Sequence, residues 1–318
     1  MAAPTTTTAA PVPPRHDSAH TPTTKPDLRH ELSTKGYVLL PSILTPTELA
    51  SLRAATAEVT TLARTGQWPH IRTLPKQFPP WPSTPGPTGI WGVQHLLHPS
   101  LPHSALFAAS YFHPAILSSV SEILRASPDD LVMELYNLLV RPDADFQLRW
   151  HRDDIPPTAS AEEEVARLQK PILHAQWNLA LYDDESLLVV PGSQKRARTE
   201  KERGAAPYEE TIEGMETVRM SAGDVVFYDN NILHTGRYSK DRERTTLHGS
   251  MGLRGEERDR ARNVLQHGVG LWVRDCDFST LEGNWEGRRV GDVAEVMRRG
   301  LVEMGTGEDV GWSQGGEE

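Results

Sequence analysis

Six short segments between residues 131 and 253 constrain the fold of this chain more than any other feature of its sequence. Each is rich in β-branched or aromatic residues, and Gly, Pro or Asp residues separate it from the next. Strands of this number and length close most naturally as a double-sheet jelly roll of about eight strands. The predicted strands are LVMELYNLLV (131–140), FQLRWHRD (146–153), ILHAQWNLALY (172–182), LLVVPGS (187–193), DVVFYDN (224–230) and RTTLHGSMGL (244–253).

Helical patterns stand before and after these strands. Thr45-Pro46-Thr47-Glu48 has the sequence of a capping box with proline at the first helical position, which predicts a helix start. The flanking predictions are helices at DLRHELSTKG (27–36), from Thr45 to about Gly66, from Pro114, and at DVAEVMRRGLVEM (292–304), with a strand at YVLLPS (37–42). The fold class is therefore α+β, a double-stranded β-helix (jelly-roll or cupin-like) core with N-terminal and C-terminal flanking helices.

The two ends of the chain differ in composition from its centre. Residues 1–26 are rich in Pro, Thr and Ala without periodicity, which predicts a disordered tail. We expect one domain over residues 27–305 and a flexible C-terminus over 306–318. Residues 67–90 hold seven prolines and predict irregular structure, either a lid or binding loop or a segment that only wraps the surface.

Charge and cysteine content exclude several classes of protein. The net charge of −10 opposes binding to nucleic acid and to anionic membranes, and no apolar run is long enough to span a bilayer. Cys276 is the single cysteine, so no disulfide forms within the chain, and its acidic neighbours argue against catalysis by its thiol. We expect a cytoplasmic protein that acts on a small-molecule substrate, with its oligomeric state open.

The segment WHRDD at 150–154 places a histidine and a carboxylate two residues apart on a predicted strand. Alternate strand residues point to one face, so His151 and Asp153 project together, about 7 Å apart along the strand. His234 ends the strand that follows the turn at 221–223 and supplies a third ligand from a neighbouring strand. The pair alone is close to chance in a chain with 13 histidines. Two histidines and one carboxylate with open positions suit non-haem Fe(II).

Arg244 begins the strand after His234 and alternates along it with Thr246 and His248. If that face points into the barrel, Arg244 is a buried cation that needs an anion. A guanidinium prefers a bidentate carboxylate, which the distal carboxylate of 2-oxoglutarate would supply. The alternative is an exposed position in the charged turn KDRER at 240–244, a description that fits Arg242 better.

Other polar and aromatic residues are candidates for the same interior. Gln147 and Arg149 share the face of the His-x-Asp pair if their strand is straight. For each of these residues taken singly, a structural role is the favoured interpretation. The cosubstrate candidates are Arg244, Gln147, Asn137 and Thr246, and the substrate candidates are Trp91, Gln94, His95 and Arg149. His174, Gln176 and Asn178 share a face on a nearby strand.

Five motifs in a fixed order carry a resemblance to a known family. They are KGYVLLPSILTPTELASLR (35–53), HRDD (151–154), VVPGS (189–193), AGDVVFYDNNILH (222–234) and RTTLHGS (244–250). From about residue 30 to 255 the chain resembles the phytanoyl-CoA dioxygenase family of Fe(II)/2-oxoglutarate-dependent oxygenases, in particular fungal members that tailor natural products. The resemblance implies that His151, Asp153 and His234 are the iron ligands and that Arg244 holds 2-oxoglutarate.

The resemblance implies an enzyme that uses Fe(II), 2-oxoglutarate and O₂ to oxidise an aliphatic C–H bond of a small, partly apolar metabolite in secondary metabolism. Hydroxylation is favoured, with desaturation or cyclisation as variants, because Asp153 fills the position that halogenating relatives leave for chloride. Two features depart from the family. The stretch DDESLLVVPGS (183–193) lacks the usual Asn-Gly, which leaves Ser186 as the local substitute, and Gln194 stands where His is usual.

Three other functions stay open at this point. The chain could be a jelly-roll binding protein without turnover, which the altered DDESLL stretch keeps in play. It could be an acyl-CoA hydroxylase, although no cluster of basic residues for the CoA phosphates is evident. Demethylation of nucleic acid by the same chemistry is opposed by the net charge of −10 and by the lack of an aromatic and basic groove.

Overall fold

Two antiparallel sheets form the centre of the molecule, which a computed structural model describes over residues 27–255 and 258–305. Their strands are β1 (Tyr37–Leu40), β2 (Ile71–Thr73), β3 (Ile90–Val93), β4 (Leu131–Val140), β5 (Phe146–Gln147), β6 (His174–Ala180), β7 (Leu187–Val190), β8 (Glu216–Thr217), β9 (Val225–Tyr228), β10 (Leu233–Tyr238) and β11 (Thr245–Leu253). The larger sheet has the order β1-β9-β6-β11-β4-β3-β2, and the smaller has the order β5-β10-β7-β8. This is the predicted double-stranded β-helix core. A separate hairpin joins β12 (Asn284–Trp285) to β13 (Arg288–Arg289).

Helices cover the outer face of the larger sheet. The helices of the described residues are α1 (Leu28–Lys35), α2 (Pro46–Arg64), α3 (Ser104–Tyr111), α4 (Pro114–Leu124), α5 (Ala161–Leu168), α6 (Glu200–Gly204), α7 (Arg258–Gln266) and α8 (Val290–Met304). Of these, α1, α2, α4, α7 and α8 pack against strands of the larger sheet, whereas α5 and α6 contact each other. Side chains such as Trp177 on β6 and Leu247 and Met251 on β11 point outward and are buried in the core that the sheet shares with the helices. The residues that alternate with them point inward and are polar, so one strand serves both a dry core and a wet interior.

The N-terminal elements follow their local sequence signals. Thr45 and Glu48 form the predicted capping box, in which the Thr45 amide donates to Glu48 Oε2 at 2.8 Å and the Glu48 amide donates to Thr45 Oγ1 at 3.3 Å. Gly36 ends α1 in the left-handed region, at φ 87°, and its amide donates to the Leu32 carbonyl at 2.9 Å. A residue with a β-carbon is strained at that angle, which explains why glycine stands there.

Three details differ from the prediction. The strand expected over 146–153 is only β5, because the chain turns irregular after Gln147 and pairs again only at the His151 bridge. His234 lies near the start of β10 and not at the end of the preceding strand, because residues 229–232 turn between the two. The Pro-rich segment is not wholly irregular, since β2 runs through it as an edge strand.

The expected tail at 1–26 and the expected flexible end at 306–318 lie outside the described residues. Both therefore stay predictions, as does the assignment of 27–305 to one domain. In the described part of the chain, no helix combines the length and the apolar character that crossing a bilayer requires.

Candidate metal centre

An isolated antiparallel bridge joins His151 to His234 and brings their rings together. The amide of each residue donates to the carbonyl of the other, both at 3.0 Å, and the ring centroids are 4.2 Å apart. Each Nδ1 donates to a nearby carbonyl, that of Arg149 for His151 (2.8 Å) and that of Ile232 for His234 (2.9 Å). Because these bonds hold the proton on Nδ1, both Nε2 atoms present their lone pairs to the interior, the tautomer that a metal ligand needs.

Asp153 completes a three-residue group with the two histidines. Its Oδ1 lies 3.5 Å from His151 Nε2 and 3.7 Å from His234 Nε2. One ligand atom from each residue lies within 4.8 Å of the other two, and no other such His, Cys, Asp and Glu group occurs in the described ranges. We call His151, Asp153 and His234 the metal pole. The predicted pair two residues apart and the histidine from another strand are therefore adjacent in space, and they could share one metal ion.

Neighbouring groups keep Asp153 oriented and charged. Gln176 Nε2 donates to Asp153 Oδ2 at 3.0 Å, and the Asp153 amide donates to the Asn230 carbonyl at 2.8 Å. Burial alone would raise the pKa of Asp153, but His234, His151 and the Gln176 hydrogen bond together hold it well below its usual range. Burial also lowers the pKa of His234 to about 4, so its ring is neutral near pH 7 and able to bind a metal.

A cavity of about 230 Å³ lies over the metal pole, far larger than the space one water needs. The inner faces of both sheets form most of its wall. The Pro-rich segment closes one part of it, and residues in and just after α7 close another. The wall includes Arg72, Gln77, Phe78, Pro79, Trp81, Trp91, Leu148, Asp154, His174, Gln176, Asn178, Ser186, Tyr238, Arg244, His248, Arg260, Asn263 and His267.

Arg244 is buried on the cavity wall, as expected, but it already has a carboxylate partner. Its Nε donates to Asp184 Oδ2 at 2.8 Å, and its Nη2 donates to Thr246 Oγ1 at 2.9 Å. Its guanidinium carbon lies 4.4 Å from the centre of the Tyr238 ring. Nη1 is buried, and no acceptor for it is found among the described residues. Asp184 belongs to the DDESLL stretch, so that departure from the family pattern places a counter-ion beside Arg244.

Arg72 on β2 is a second cation of the wall, one that sequence reasoning missed. Its guanidinium carbon lies 5.1 Å from the Trp81 ring and 5.0 Å from the Trp91 ring, both within cation–π range. In the described structure it makes no ion pair, and its buried Nε has no acceptor. Burial lowers the pKa of Arg72 to about 10, which leaves the group charged near pH 7.

The strand beside β2 leaves room for the Arg72 side chain. Gly92 on β3 pairs with Arg72, and a β-carbon at that position would lie 3.0 Å from Arg72 Cδ and 3.2 Å from its Cγ. A larger residue at 92 would therefore push the arginine stem aside. The only sequence signal for this arrangement is an arginine among the Trp, Phe and Pro residues of 67–90, and that composition has no periodicity from which a facing direction follows.

The remaining cosubstrate candidates do not line the cavity. Gln147 lies in a separate surface depression with Arg237, because the irregular residues after β5 shift the alternation and turn Leu148 inward instead. The position of Gln147 thus contradicts its predicted role. Asn137 is buried and does not belong to the wall, and its Oδ1 accepts from the His95 amide at 3.2 Å. Thr246 holds Arg244, as described above.

The substrate candidates are divided by the structure. Trp91 lines the cavity, whereas Gln94 and His95 lie outside its wall, so the structure does not support contact of either with a ligand there. His95 is instead packed against Trp272, and its Nε2 donates to the His267 carbonyl at 2.7 Å. Arg149 is not in the wall itself, but it lies over the ring of Phe78, 5.0 Å from its centre.

The Pro-rich segment forms part of the wall and does not merely wrap the surface. It contributes Gln77, Phe78, Pro79 and Trp81 to the cavity. The Phe78 ring is 5.6 Å from the His151 ring, in an edge-on arrangement, so the segment approaches the metal pole directly. Of the two interpretations of this segment, a binding loop is the one that fits.

Comparison with known proteins adds three findings. The model of the phytanoyl-CoA dioxygenase family matches residues 32–244, while no curated protein matches the sequence. AviO1 from Streptomyces viridochromogenes Tue57 is 19% identical, with a TM-score of 0.50 over 71% of this chain and 93% of AviO1. HygX from Streptomyces hygroscopicus is 15% identical, with a TM-score of 0.52 over 73% of this chain and 87% of HygX. At these identities the two structures support the fold alone.

Proposed function

The chain belongs to the phytanoyl-CoA dioxygenase family, which makes it a non-haem iron, 2-oxoglutarate-dependent oxygenase, and we propose that it oxidises an aliphatic C–H bond of a small, partly apolar metabolite. Iron and 2-oxoglutarate together supply the oxidising chemistry when they are bound. The protein binds and orients the reactants and excludes water from them. The observation that supports the proposal is the metal pole, whose three residues line the cavity with their donor atoms within 4.8 Å of one another.

We propose His151, Asp153 and His234 as the iron ligands. Two neutral imidazoles and one carboxylate are the donor set of many non-haem Fe(II) oxygenases, and they leave positions for a cosubstrate and O₂. The Nδ1 hydrogen bonds of both histidines and the Gln176 bond to Asp153 support this role, because they fix each ligand before a metal arrives.

The cosubstrate is a dianion, and we propose that Arg244 and Arg72 bind it. Arg244 offers Nη1, which has no acceptor in the described structure, while its charge is already balanced by Asp184. Arg72 offers a charge that forms no ion pair with a described carboxylate. Burial lowers its pKa, and the charge of Asp153 partly opposes that lowering, so Arg72 lies within electrostatic reach of the metal pole. Thr246 keeps the Arg244 fork in place through its hydrogen bond with Nη2.

The substrate would lie against the aromatic wall made by Phe78, Trp81 and Trp91. Flat aromatic side chains favour a ring-containing or otherwise apolar surface. Hydroxylation is the reaction we favour, because Asp153 completes the ligand set. Desaturation, cyclisation and a place in secondary metabolism stay predictions, as do the narrower fungal type and a cytoplasmic location.

An acyl-CoA substrate fits the cavity less well. Coenzyme A carries several phosphate charges, and the described wall has three arginines, of which Arg244 and Arg260 are already paired with Asp184 and Glu134. A binding protein without turnover is disfavoured by the complete ligand set, since a protein of that kind has no need of three convergent metal ligands. Measured affinities for Fe(II) and 2-oxoglutarate separate the two, because a pseudoenzyme should bind at least one of them poorly.

His151→Ala is the first test. We expect the variant to lose Fe(II) binding and to release no succinate in an Fe(II)-dependent manner, because two ligand atoms cannot replace three. Metal titration and succinate assay on the same preparation provide the measurement. His103→Ala, at an exposed histidine before α3, is the matched control and should behave as the wild type. Wild-type metal affinity together with coupled succinate release in His151→Ala would refute the assignment.

A further inference from the structure

Helix α7 lies beyond the residues that the family model matches, yet it contributes to the cavity. It follows the last core strand, β11, and its residues Arg260 and Asn263 line the wall together with His267 just past its end. Their spacing of three and four residues places them on one helical face. We call Arg260, Asn263 and His267 the helix pole.

Two contacts hold the helix pole in place. Arg260 makes a bidentate ion pair with buried Glu134 on β4, from Nε at 3.0 Å and from Nη2 at 2.7 Å. The carbonyl of His267 pairs with the ring of His95 at 2.7 Å. The face is therefore fixed before any ligand binds, and the charge of Arg260 is already balanced.

Asn263 is the member of this face with an unused polar atom. Its Oδ1 is buried, and none of the described residues donates a hydrogen bond to it. A buried acceptor without a donor is destabilising, whereas an O–H or N–H group of a ligand in the cavity would satisfy it. The position of Asn263 on the wall makes a bound molecule the available source of that donor.

The charges around the cavity favour an uncharged molecule. Arg244 and Arg260 are neutralised by Asp184 and Glu134, and the proposed function assigns Arg72 to the cosubstrate. The described wall then has no further lysine or arginine for an anionic substrate. A cationic substrate would be repelled by the metal ion and by Arg72, and both carboxylates of the wall already have partners, Asp153 in the metal pole and Asp154 in Asn230 Nδ2.

We propose that the helix pole is the specificity element for the substrate, and that Asn263 Oδ1 accepts a hydrogen bond from a hydroxyl or amide N–H of an uncharged, ring-containing substrate. The inference rests on the proposed function only in taking the molecule beside the helix pole to be the substrate. The proposed substrate therefore carries a hydrogen-bond donor, has no charge and contains a ring that fits against the aromatic wall.

Two probes with the same ring system test whether the ligand must donate a hydrogen bond to Asn263. 2-Naphthol and 2-methoxynaphthalene differ in whether the oxygen carries a hydrogen. Binding to the Zn(II)-loaded protein, with and without 2-oxoglutarate, is measured by calorimetry, so that no turnover is needed. We expect 2-naphthol to bind about fivefold tighter than its ether, which is the worth of one neutral hydrogen bond.

Three variants decide whether Asn263 is the cause. Asn263→Leu keeps the volume, removes the acceptor and should abolish the preference. Asn263→Asp keeps an acceptor and should retain it, and Arg258→Ala, at an exposed position of the same helix, should match the wild type. Absence of a preference in the wild type, its survival in Asn263→Leu or its loss in Asn263→Asp would overturn the proposal. A preference without Fe(II)-dependent succinate release would instead count against the proposed function alone.

Discussion

The metal pole and the helix pole lie on one cavity, yet they treat charge in opposite ways. At the metal pole, the charged carboxylate of Asp153 lies beside the imidazoles of His151 and His234. At the helix pole, Glu134 balances the charge of Arg260. The other two residues on the wall there are Asn263, with an uncharged amide, and His267. Burial and neighbouring cations lower the pKa of His267 to about 3, which keeps that ring neutral.

The difference shows how one cavity can bind two molecules of unlike chemistry. An unbalanced charge in a buried site attracts an ion, because burial without a partner is costly. A site whose charges are paired, and which keeps a free hydrogen-bond acceptor, selects a ligand by its shape and by its hydrogen-bond donors. The metal pole and Arg72 therefore suit a metal and a dianion, while the helix pole suits an uncharged molecule.

The two buried ion pairs test this contrast with the largest expected effect. Asp184→Asn and Glu134→Gln each leave a buried arginine without its counter-charge, and we expect each to lower the free energy of unfolding by about 3 kcal/mol. The two should differ in their response to ligand. Metal and 2-oxoglutarate should stabilise Asp184→Asn more than they stabilise the wild type, because the cosubstrate then supplies the carboxylate that Arg244 lacks.

Urea denaturation of both variants, with and without Zn(II) and 2-oxoglutarate, is the measurement. Glu134→Gln is the matched control, since Arg260 lies at the helix pole and should gain no more from 2-oxoglutarate than the wild type does. An equal response of the two variants would mean that the cosubstrate does not distinguish the poles, and it would remove the main support for placing 2-oxoglutarate beside Arg244.

Local sequence was sufficient for the metal pole and insufficient for the helix pole. His151 and Asp153 are two residues apart, so strand alternation alone brings them together, and the strand patterns placed His234 and Arg244 nearby. Asn263 sits in a helix whose facing direction depends on the pair between Arg260 and Glu134, which are 126 residues apart in the chain. No pattern within α7 records that contact.

The other correct and incorrect predictions also differ in how far apart the contacting residues are in the chain. Thr45 and Glu48 cap a helix through contacts three residues apart, and the capping box was correctly predicted. Gln147 was misplaced because the prediction assumed a straight strand from 146 to 153. The irregular residues between Gln147 and His151 shift the alternation, so Gln147 no longer shares a face with His151. Arg72 and Asp184 were missed because their significance depends on partners in other strands and loops, which composition does not reveal.

Arg72→Gln sharpens the contrast by removing the unbalanced charge. We expect the affinity for 2-oxoglutarate to fall by about 10- to 100-fold, the range for loss of a charge-assisted hydrogen bond. Binding of 2-naphthol should change little, because Asn263 is intact. Titration of the Zn(II)-loaded variant with each compound measures both effects. The opposite result, with unchanged 2-oxoglutarate affinity and weakened binding of an anionic probe such as 2-naphthoate, would assign Arg72 to the substrate instead.

The smallest effect concerns how the metal pole is oriented. Gln176 binds Asp153 Oδ2, which leaves Oδ1 facing the two Nε2 atoms, so Gln176→Leu frees the carboxylate to rotate. Loss of such a supporting hydrogen bond typically weakens metal binding by 10- to 100-fold, and we expect about tenfold here because the Asp153 amide still holds the backbone.

Asn178→Leu is the matched control for that variant. Asn178 lies two residues from Gln176 on the same face of β6, but its Oδ1 contacts His248 at 2.9 Å and not a residue of the metal pole. Titration with Fe(II) under anaerobic conditions should therefore show weaker binding in Gln176→Leu alone. If both variants lose affinity equally, general disturbance of the polar wall is the cause. Orientation of the carboxylate by Gln176 would then have no separate role, and the metal pole would depend on its strands alone.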